Sequence, residues 1–383
     1  STLSSSSAAS DVYKRQYKYF PFGGLQRDFM RIASTVAARG HHVRVYTQSW
    51  EGDCPEAFEL IRVPVKSHTN HGRNAEYYAW VQNHLKAHPA DRVVGFNKMP
   101  GLDVYFAADV CYAEKVAQEK GFFYRLTSRY RHYAAFERAT FEHGKSTKLM
   151  MLTDKQIADF QKHYQTEPER FQILPPGIYP DRKYNAQIPN SREIYRQKNG
   201  ITEQQNLLLQ VGSDFGRKGV DRSIEALASL PESLRHNTLL FVVGQDKPRK
   251  FEVLAEKLGV RSKVHFFSGR NDVSELMAAA DLLMHPAYQE AAGIVLLEAI
   301  AAGLPVLTTA VCGYAHYITD ANCGTVIAEP FSQEQLNDVL RKALTQSPLR
   351  MAWAENARYY ADTQDLYSLP EKAADIITGG LDG

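Results

Sequence analysis

Short apolar runs alternate along this chain with longer stretches in which apolar residues recur every three or four positions. The runs His42-Val-Arg-Val-Tyr46, Asp91-Arg-Val-Val-Gly-Phe96, Lys148-Leu-Met-Met-Leu152, Leu207-Leu-Leu-Gln-Val211, Leu239-Leu-Phe-Val-Val243 and Leu282-Leu-Met284 have the length and content of buried strands. Phe29, Ile32, Ala33 and Val36 make a helical stripe, as do Leu336, Val339, Leu340 and Leu344 in the tail from about Gln333. Strands alternating with helices predict α/β architecture with parallel sheets. The alternation breaks at Leu174-Pro-Pro-Gly-Ile-Tyr-Pro180, where three prolines and a glycine forbid continuous helix or ladder pairing. Past it the pattern restarts and runs to about Pro330. Two doubly wound, Rossmann-like domains facing across a cleft are therefore expected, over 17–174 and 175–350, with a helical tail over 351–383.

The opening stretch does not fit this frame. A doubly wound domain needs a buried apolar strand before the turn at Gly23-Gly24, yet the chain offers the serine-rich Ser1 to Gln16. These residues are expected to be foreign to the fold, standing in place of a missing first strand.

Composition narrows the class. A chain of 383 residues exceeds what one core normally serves, and a formal charge of +2 lacks the basic excess of a nucleic-acid protein. Cys54, Cys111, Cys312 and Cys323 are scattered without a Cys-x-x-Cys pair, so a reducing compartment is the simplest expectation. No apolar run reaches the length that spans a bilayer, and no basic-then-apolar export pattern opens the chain.

Three segments carry candidate chemistry. Tyr19-Phe-Pro-Phe-Gly-Gly-Leu-Gln-Arg-Asp28 leads into a helix, and its paired glycines, Gly23 and Gly24, would let backbone approach a phosphate or sugar. It is neither a Gly-x-Gly-x-x-Gly fingerprint nor a Walker loop, and a plain tight turn would also account for it. Val211-Gly-Ser-Asp-Phe-Gly-Arg-Lys-Gly219 places Arg217 and Lys218 just beyond a strand, where two cations can neutralise a departing diphosphate. A solvated basic turn is the bland alternative. In Glu290-Ala-Ala-Gly-Ile-Val-Leu-Leu-Glu298 a loop turns into an apolar helix near Gly293. Free N–H groups at that helix start suit a diphosphate, and carboxylates about 12 Å apart along a helix could bind a hexose and a ribose. The same spacing fits a core helix with solvated acids. No Asp-x-Asp pair or His/Cys cluster at metal spacing occurs, so no metal or other cofactor is expected.

In that order and spacing the Gly-Gly turn with the Arg39-Gly-His-His-Val43 helix exit, the Gly-Arg-Lys-Gly turn and the Glu-x7-Glu segment resemble GT-B-fold retaining glycosyltransferases of family 4. The resemblance runs from about Tyr17 to the C-terminus. Tyr17 to Asp28, Gly95-Phe-Asn-Lys-Met-Pro-Gly-Leu-Asp103 and His285-Pro-Ala-Tyr-Gln-Glu-Ala-Ala-Gly293 are similar, more closely, to bacterial glucosyltransferases of the lipopolysaccharide core. It implies transfer of glucose from UDP-glucose to an inner-core heptose with the α configuration retained. It also implies roles. Gly24 would approach the donor, with Gly23 beside it, and Asp28 would lie beside the transferring glucose. Arg217 and Lys218 would hold the diphosphate, with Ala292, Gly293 and Ile294 completing its site. Glu290 would bind the sugar and Glu298 the ribose. Where family members commonly place a histidine near the anomeric carbon, this chain has Asp109 in Phe106-Ala-Ala-Asp-Val110. Two further readings stay open: a related transferase with another hexose or lipid acceptor, and a non-catalytic protein that binds nucleotide sugar or glycan.

Phe122-Phe-Tyr-Arg-Leu-Thr-Ser-Arg-Tyr-Arg-His-Tyr133 mixes aromatics with Arg125, Arg129 and Arg131, and no acid occurs from Gly121 to Ala135. Such a surface suits anionic lipid headgroups, although an acceptor-binding or packing helix also fits. With the resemblance, the expectation is a cytoplasmic protein held peripherally on the inner membrane.

Overall fold

The computed structural model describes residues 11–15, 18–19, 24–179, 182–183 and 191–379. They form two compact units, one of residues 1–177 with 368–383 and one of residues 178–367.

The first unit runs through β1 (Asp11–Arg15), β2 (Lys18–Tyr19), α1 (Gly24–Ala38), β3 (His42–Thr47), β4 (Ser49–Trp50), β5 (Phe58–Arg62) and α2 (Asn70–Ala87). It continues with β6 (Arg92–Gly95), β7 (Val104–Ala107), α3 (Tyr112–Glu119), α4 (Ser128–Phe141), β8 (Lys148–Met151), α5 (Asp154–Tyr164) and β9 (Phe171–Ile173). Its parallel sheet has the order β5-β3-β1-β6-β7-β8-β9, so the winding direction reverses between β1 and β6. Tyr46, Tyr77, Tyr105, Phe141 and Phe160 fill the core on one side, with the Phe141 and Phe160 rings stacked at 3.5 Å.

This sheet corrects the expectation for the opening residues. Asp11–Arg15 is the central strand, paired in parallel with β3 from Asp11↔His42 to Arg15↔Tyr46 and with β6 from Val12↔Arg92 to Arg15↔Gly95. The slot between two parallel strands is filled through backbone N–H and C=O groups, which every residue but proline carries, and Val12 and Tyr13 are good strand formers. A serine-rich neighbourhood therefore does not keep the segment out. Residues 1–10 and Gln16 lie outside the described residues.

The second unit runs through α6 (Ser191–Lys198), β10 (Asn206–Val211), α7 (Val220–Ala228), α8 (Glu232–His236), β11 (Thr238–Val243), α9 (Arg249–Lys257), β12 (Val264–Phe267) and α10 (Val273–Ala279). Then come β13 (Leu282–His285), α11 (Ile294–Ala301), β14 (Val306–Thr309), α12 (Ala315–Asp320), β15 (Gly324–Ile327), α13 (Gln333–Thr345) and α14 (Ser347–Thr363). The sheet order β12-β11-β10-β13-β14-β15 again reverses in the middle, between β10 and β13. All six runs read from the sequence are strands of these two sheets. The α/β, Rossmann-like class expected of each half is what the chain adopts.

The chain changes unit at Gly177/Ile178, inside the proline-rich break, and again at Tyr367/Ser368. The helical tail read over 351–383 divides between the units. α14 stays with the second unit, packed on α11 and α13, whereas α15 (Leu369–Thr378) packs against α1 of the first. α15 buries Leu369, Ala373, Ala374 and Ile377, with the Leu369 N–H donating to the Pro176 carbonyl at 3.1 Å. Arg39 adds an ion pair with Asp375 at 2.8 Å and donates to the Glu371 carbonyl at 3.1 Å.

One buried charge fixes the loop after β7. Glu137 of α4, fully buried, touches the Lys98 ammonium and accepts from the N–H groups of Tyr112 and Ala113 at 2.8 and 2.9 Å and from Tyr164 Oη at 2.7 Å. It thus serves the free N-terminal amides of α3, while Lys98 also donates to the Val110 carbonyl at 2.9 Å. Burial pushes the Glu137 carboxyl up, but Lys98 and these hydrogen bonds outweigh it and the net shift is downward. Replacing Glu137 by Ala strands the Lys98 ammonium in the core. The expected loss is roughly 3–5 kcal/mol, read as a fall in the urea midpoint of unfolding; an unchanged midpoint would show that solvent reaches Lys98.

Candidate functional site

At a reversal of strand order the helices after the two central strands leave on opposite faces, and a crevice opens at the strands' carboxyl ends. In the second unit those strands are β10 and β13, and the loops that follow them carry the sequence-predicted cluster. Arg217 and Lys218 lie in the turn before α7, and Glu290 lies between β13 and α11.

The structure brings these three side chains together. The Glu290 carboxylate contacts the Lys218 ammonium and lies 3.5 Å from Arg217. Arg217 also pairs with Asp214 at 3.1 Å and donates to the Gln289 carbonyl at 3.2 Å. Burial, with the Arg217 guanidinium nearby, pushes the Lys218 ammonium down to about 8. The contact with Glu290 favours the charged form, so at neutral pH the cluster holds two cations against one carboxylate at its centre, with Asp214 outside.

Backbone contact holds the two loops in register. Gly219 caps α7 with φ of 70°, and a side-chain carbon there would collide with the Pro286 carbonyl oxygen. The Tyr288 N–H donates to the Arg217 carbonyl at 2.9 Å. Arg222 donates to the carbonyls of Pro286 and Ala287, both at 3.1 Å, and its guanidinium lies over the rings of Tyr288 and Phe331 at 3.6 and 3.5 Å. The loop after β11 braces the turn from the other side, where Asp246 accepts from the Phe215 N–H at 2.8 Å.

Gly293 starts α11 with φ of 88°, and Ala292 accepts from the Tyr314 N–H at 2.7 Å. The first-turn N–H groups of a helix, Ile294's among them, have no carbonyl partner within it. Glu298 lies within α11, buried, with Arg182 Nε 3.7 Å from its Oε1. It does not join the Lys218 cluster directly.

The remaining predicted residues belong to the first unit. Gly24 opens α1 with space around it and Asp28 lies one turn on, half-buried; Gly23 lies outside the described residues. Asp109 is exposed just past the carboxyl end of β7, and Gln156 holds its loop by donating to the carbonyls of Ala107 and Asp109 at 2.9 and 3.1 Å. Arg125, Arg129 and Arg131 are exposed on the 3-10 turn Phe122–Leu126 and the start of α4. Phe122, Phe123 and Leu126 stand 73%, 80% and 56% exposed there.

Sequence reasoning missed several residues at these places. Arg182, beside Glu298, also donates to Ser274 Oγ at 2.5 Å; its charge inside the break after Pro180 was the available signal. Arg222, Lys98 and Glu137 work through partners remote in sequence, and His285, five residues before Glu290, stands out by its full burial, which spacing does not show. Among the described residues, none of the His, Cys, Asp and Glu side chains gather in a group able to hold a metal ion.

Known proteins align with this architecture. Residues 22–182 match Glycosyltransferase Family 4, and residues 191–360 match Glycosyl transferases group 1. The lipopolysaccharide glucosyltransferase WaaG of Escherichia coli (strain K12) is 96% identical over 367 residues, 96% of this chain and 98% of that protein. The crystal structure of WaaG, a glycosyltransferase involved in lipopolysaccharide biosynthesis, superposes with a TM-score of 0.94 at 95% identity, covering 96% of this chain and all of that one. Anabaena HepE, solved with UDP and glucose, shares the fold at 19% identity, with a TM-score of 0.73 over 96% of this chain and 99% of its own.

The closeness of the two loops makes one substitution diagnostic. Gly219→Ala adds a carbon against the Pro286 carbonyl at a residue with positive φ, and is expected to cost roughly 1–3 kcal/mol and to part Lys218 from Glu290. A thermal midpoint equal to the wild type would show that the loops part freely.

Proposed function

The chain belongs to the lipopolysaccharide glucosyltransferases of the glycosyltransferase family just described, and from that premise we propose that it moves glucose from UDP-glucose to a heptose of the lipopolysaccharide inner core with retention at the anomeric carbon. The observation that carries this reading is the Arg217, Lys218 and Glu290 cluster at the carboxyl ends of β10 and β13. Two cations there match a diphosphate, and one partly buried carboxylate suits paired sugar hydroxyls. First-turn amides of α11 around Gly293 and Ile294 add positive potential, and Glu298 takes the ribose.

The bond between the anomeric carbon and the phosphate oxygen breaks with its electron pair going to phosphate, whose growing charge Arg217 and Lys218 meet. The acceptor hydroxyl attacks from the same face and gives its proton to that phosphate oxygen. Protein cations supply the charge neutralisation, and no metal is called for. In the first unit, Asp28 and Asp109 serve the glucose and the acceptor. The deep fixing of the Asp109 loop by Lys98, Glu137 and Gln156 supports a positioning task there better than a mobile nucleophile.

The exposed Phe122, Phe123 and Leu126 amid Arg125, Arg129 and Arg131 support peripheral binding to an anionic membrane. Each surface cation adds about 1 kcal/mol on anionic lipid, and the rings enter the headgroup layer. No described helix is long and apolar enough to cross a membrane.

Purified protein offered UDP-glucose or UDP-galactose with truncated core lipopolysaccharide ending in heptose is expected to transfer glucose, and to keep doing so in excess chelator. Preference for galactose would favour a related transferase, and binding without turnover a non-catalytic protein. Binding to phosphatidylglycerol vesicles is expected to weaken with salt and in the triple variant Arg125→Ser, Arg129→Ser, Arg131→Ser; equal binding would move the membrane surface elsewhere.

A further inference from the structure

His285, the last residue of β13, is fully buried with its Nε2 3.6 Å from Glu290 Oε2. Its backbone is fixed, the carbonyl accepting from Thr308 Oγ1 at 3.0 Å and from the Ala287 N–H at 2.9 Å. Neither ring nitrogen has a hydrogen-bond partner. Buried polar atoms are rarely left so, and one aimed at a functional carboxylate calls for a state in which it is paired. The charged groups facing the ring are Glu290 from its own loop and Lys218 and Arg217 from the turn after β10. Burial and those two cations push the imidazole well below its ordinary range, so the ring is neutral and the 3.6 Å approach is no ion pair. A neutral imidazole still carries one N–H to give.

Glu290 is now neutralised by Lys218 and Arg217. A donor diphosphate drawing on the same two cations would loosen Glu290 at the moment it must grip a hexose. We infer that His285 is a positioning residue that then donates its Nε2–H to Glu290 and holds the carboxylate for the sugar while the cations serve the diphosphate. The inference rests on the donor reading above and adds a hand-over of partners within it. The orphaned nitrogens are what remains when the cations still sit on Glu290.

His285→Phe fills the same space with an apolar ring, and His285→Gln keeps an N–H donor. The Phe variant is expected to hold its thermal midpoint, since no existing hydrogen bond is removed, while kcat/KM for UDP-glucose falls about ten- to a hundred-fold, the worth of a hydrogen bond to a charged group. Gln is expected to restore part of that loss. A folded Phe variant with unchanged kcat/KM overturns the inference, as does a fall in midpoint that Gln does not rescue. Should the Phe variant not fold, nitrogen NMR of the wild type decides. Saturating UDP-glucose is expected to shift the His285 Nε2 resonance, and an unmoved resonance at a saturation verified by calorimetry overturns the proposal. A wild type that shows no calorimetric binding of UDP-glucose removes the donor reading itself, and this inference with it.

Discussion

Parallel strands whose winding reverses between neighbours send their following helices to opposite faces, and this constraint decides where the second unit can hold anything. β10 and β13 are the strands concerned, and every residue of the charged cluster lies within a few positions of their carboxyl ends. The crevice keeps its geometry because the two loops touch through backbone. Gly219 leaves no room for a side chain against Pro286, and Arg222 ties the Pro286 and Ala287 carbonyls from beneath two aromatic rings. Lys218 and Glu290, 72 residues apart in sequence, meet as a result.

Charge is handled alike in both units. Lys218 with Glu290, and Lys98 with Glu137, are lysine and glutamate pairs held in surroundings that would penalise either partner alone. They differ in how completely they are satisfied. Glu137 is surrounded by fixed donors from α3 and Tyr164, which suits a structural clamp. Glu290 has cations that a stronger anion could draw away and a histidine beside it with nothing yet to bind, which suits a site that exchanges partners.

Much of the fold was legible because buried parallel strands are short, continuous apolar runs, and the Pro-Pro-Gly break interrupts them where the chain changes unit. β1 was missed for the opposite reason: its place is set by tertiary pairing on both sides, against a composition that argues for none. Arg217, Lys218 and Glu290 could be found since each follows a recognisable strand. Arg222, Arg182 and the Lys98 to Glu137 pair could not, because their meaning lies in contacts across the fold; no local spacing encodes a guanidinium stacked between Tyr288 and Phe331.

The return of α15 to α1 bears on synthesis. α1 emerges from the ribosome early, yet α15, which packs on it, is translated only after the whole of the second unit. Until then α1 must wait without that helix, while the intervening unit can complete its own sheet. The first unit is thus completed only after the second, and a nascent chain stalled before Leu369 would leave it open to chaperones and proteases.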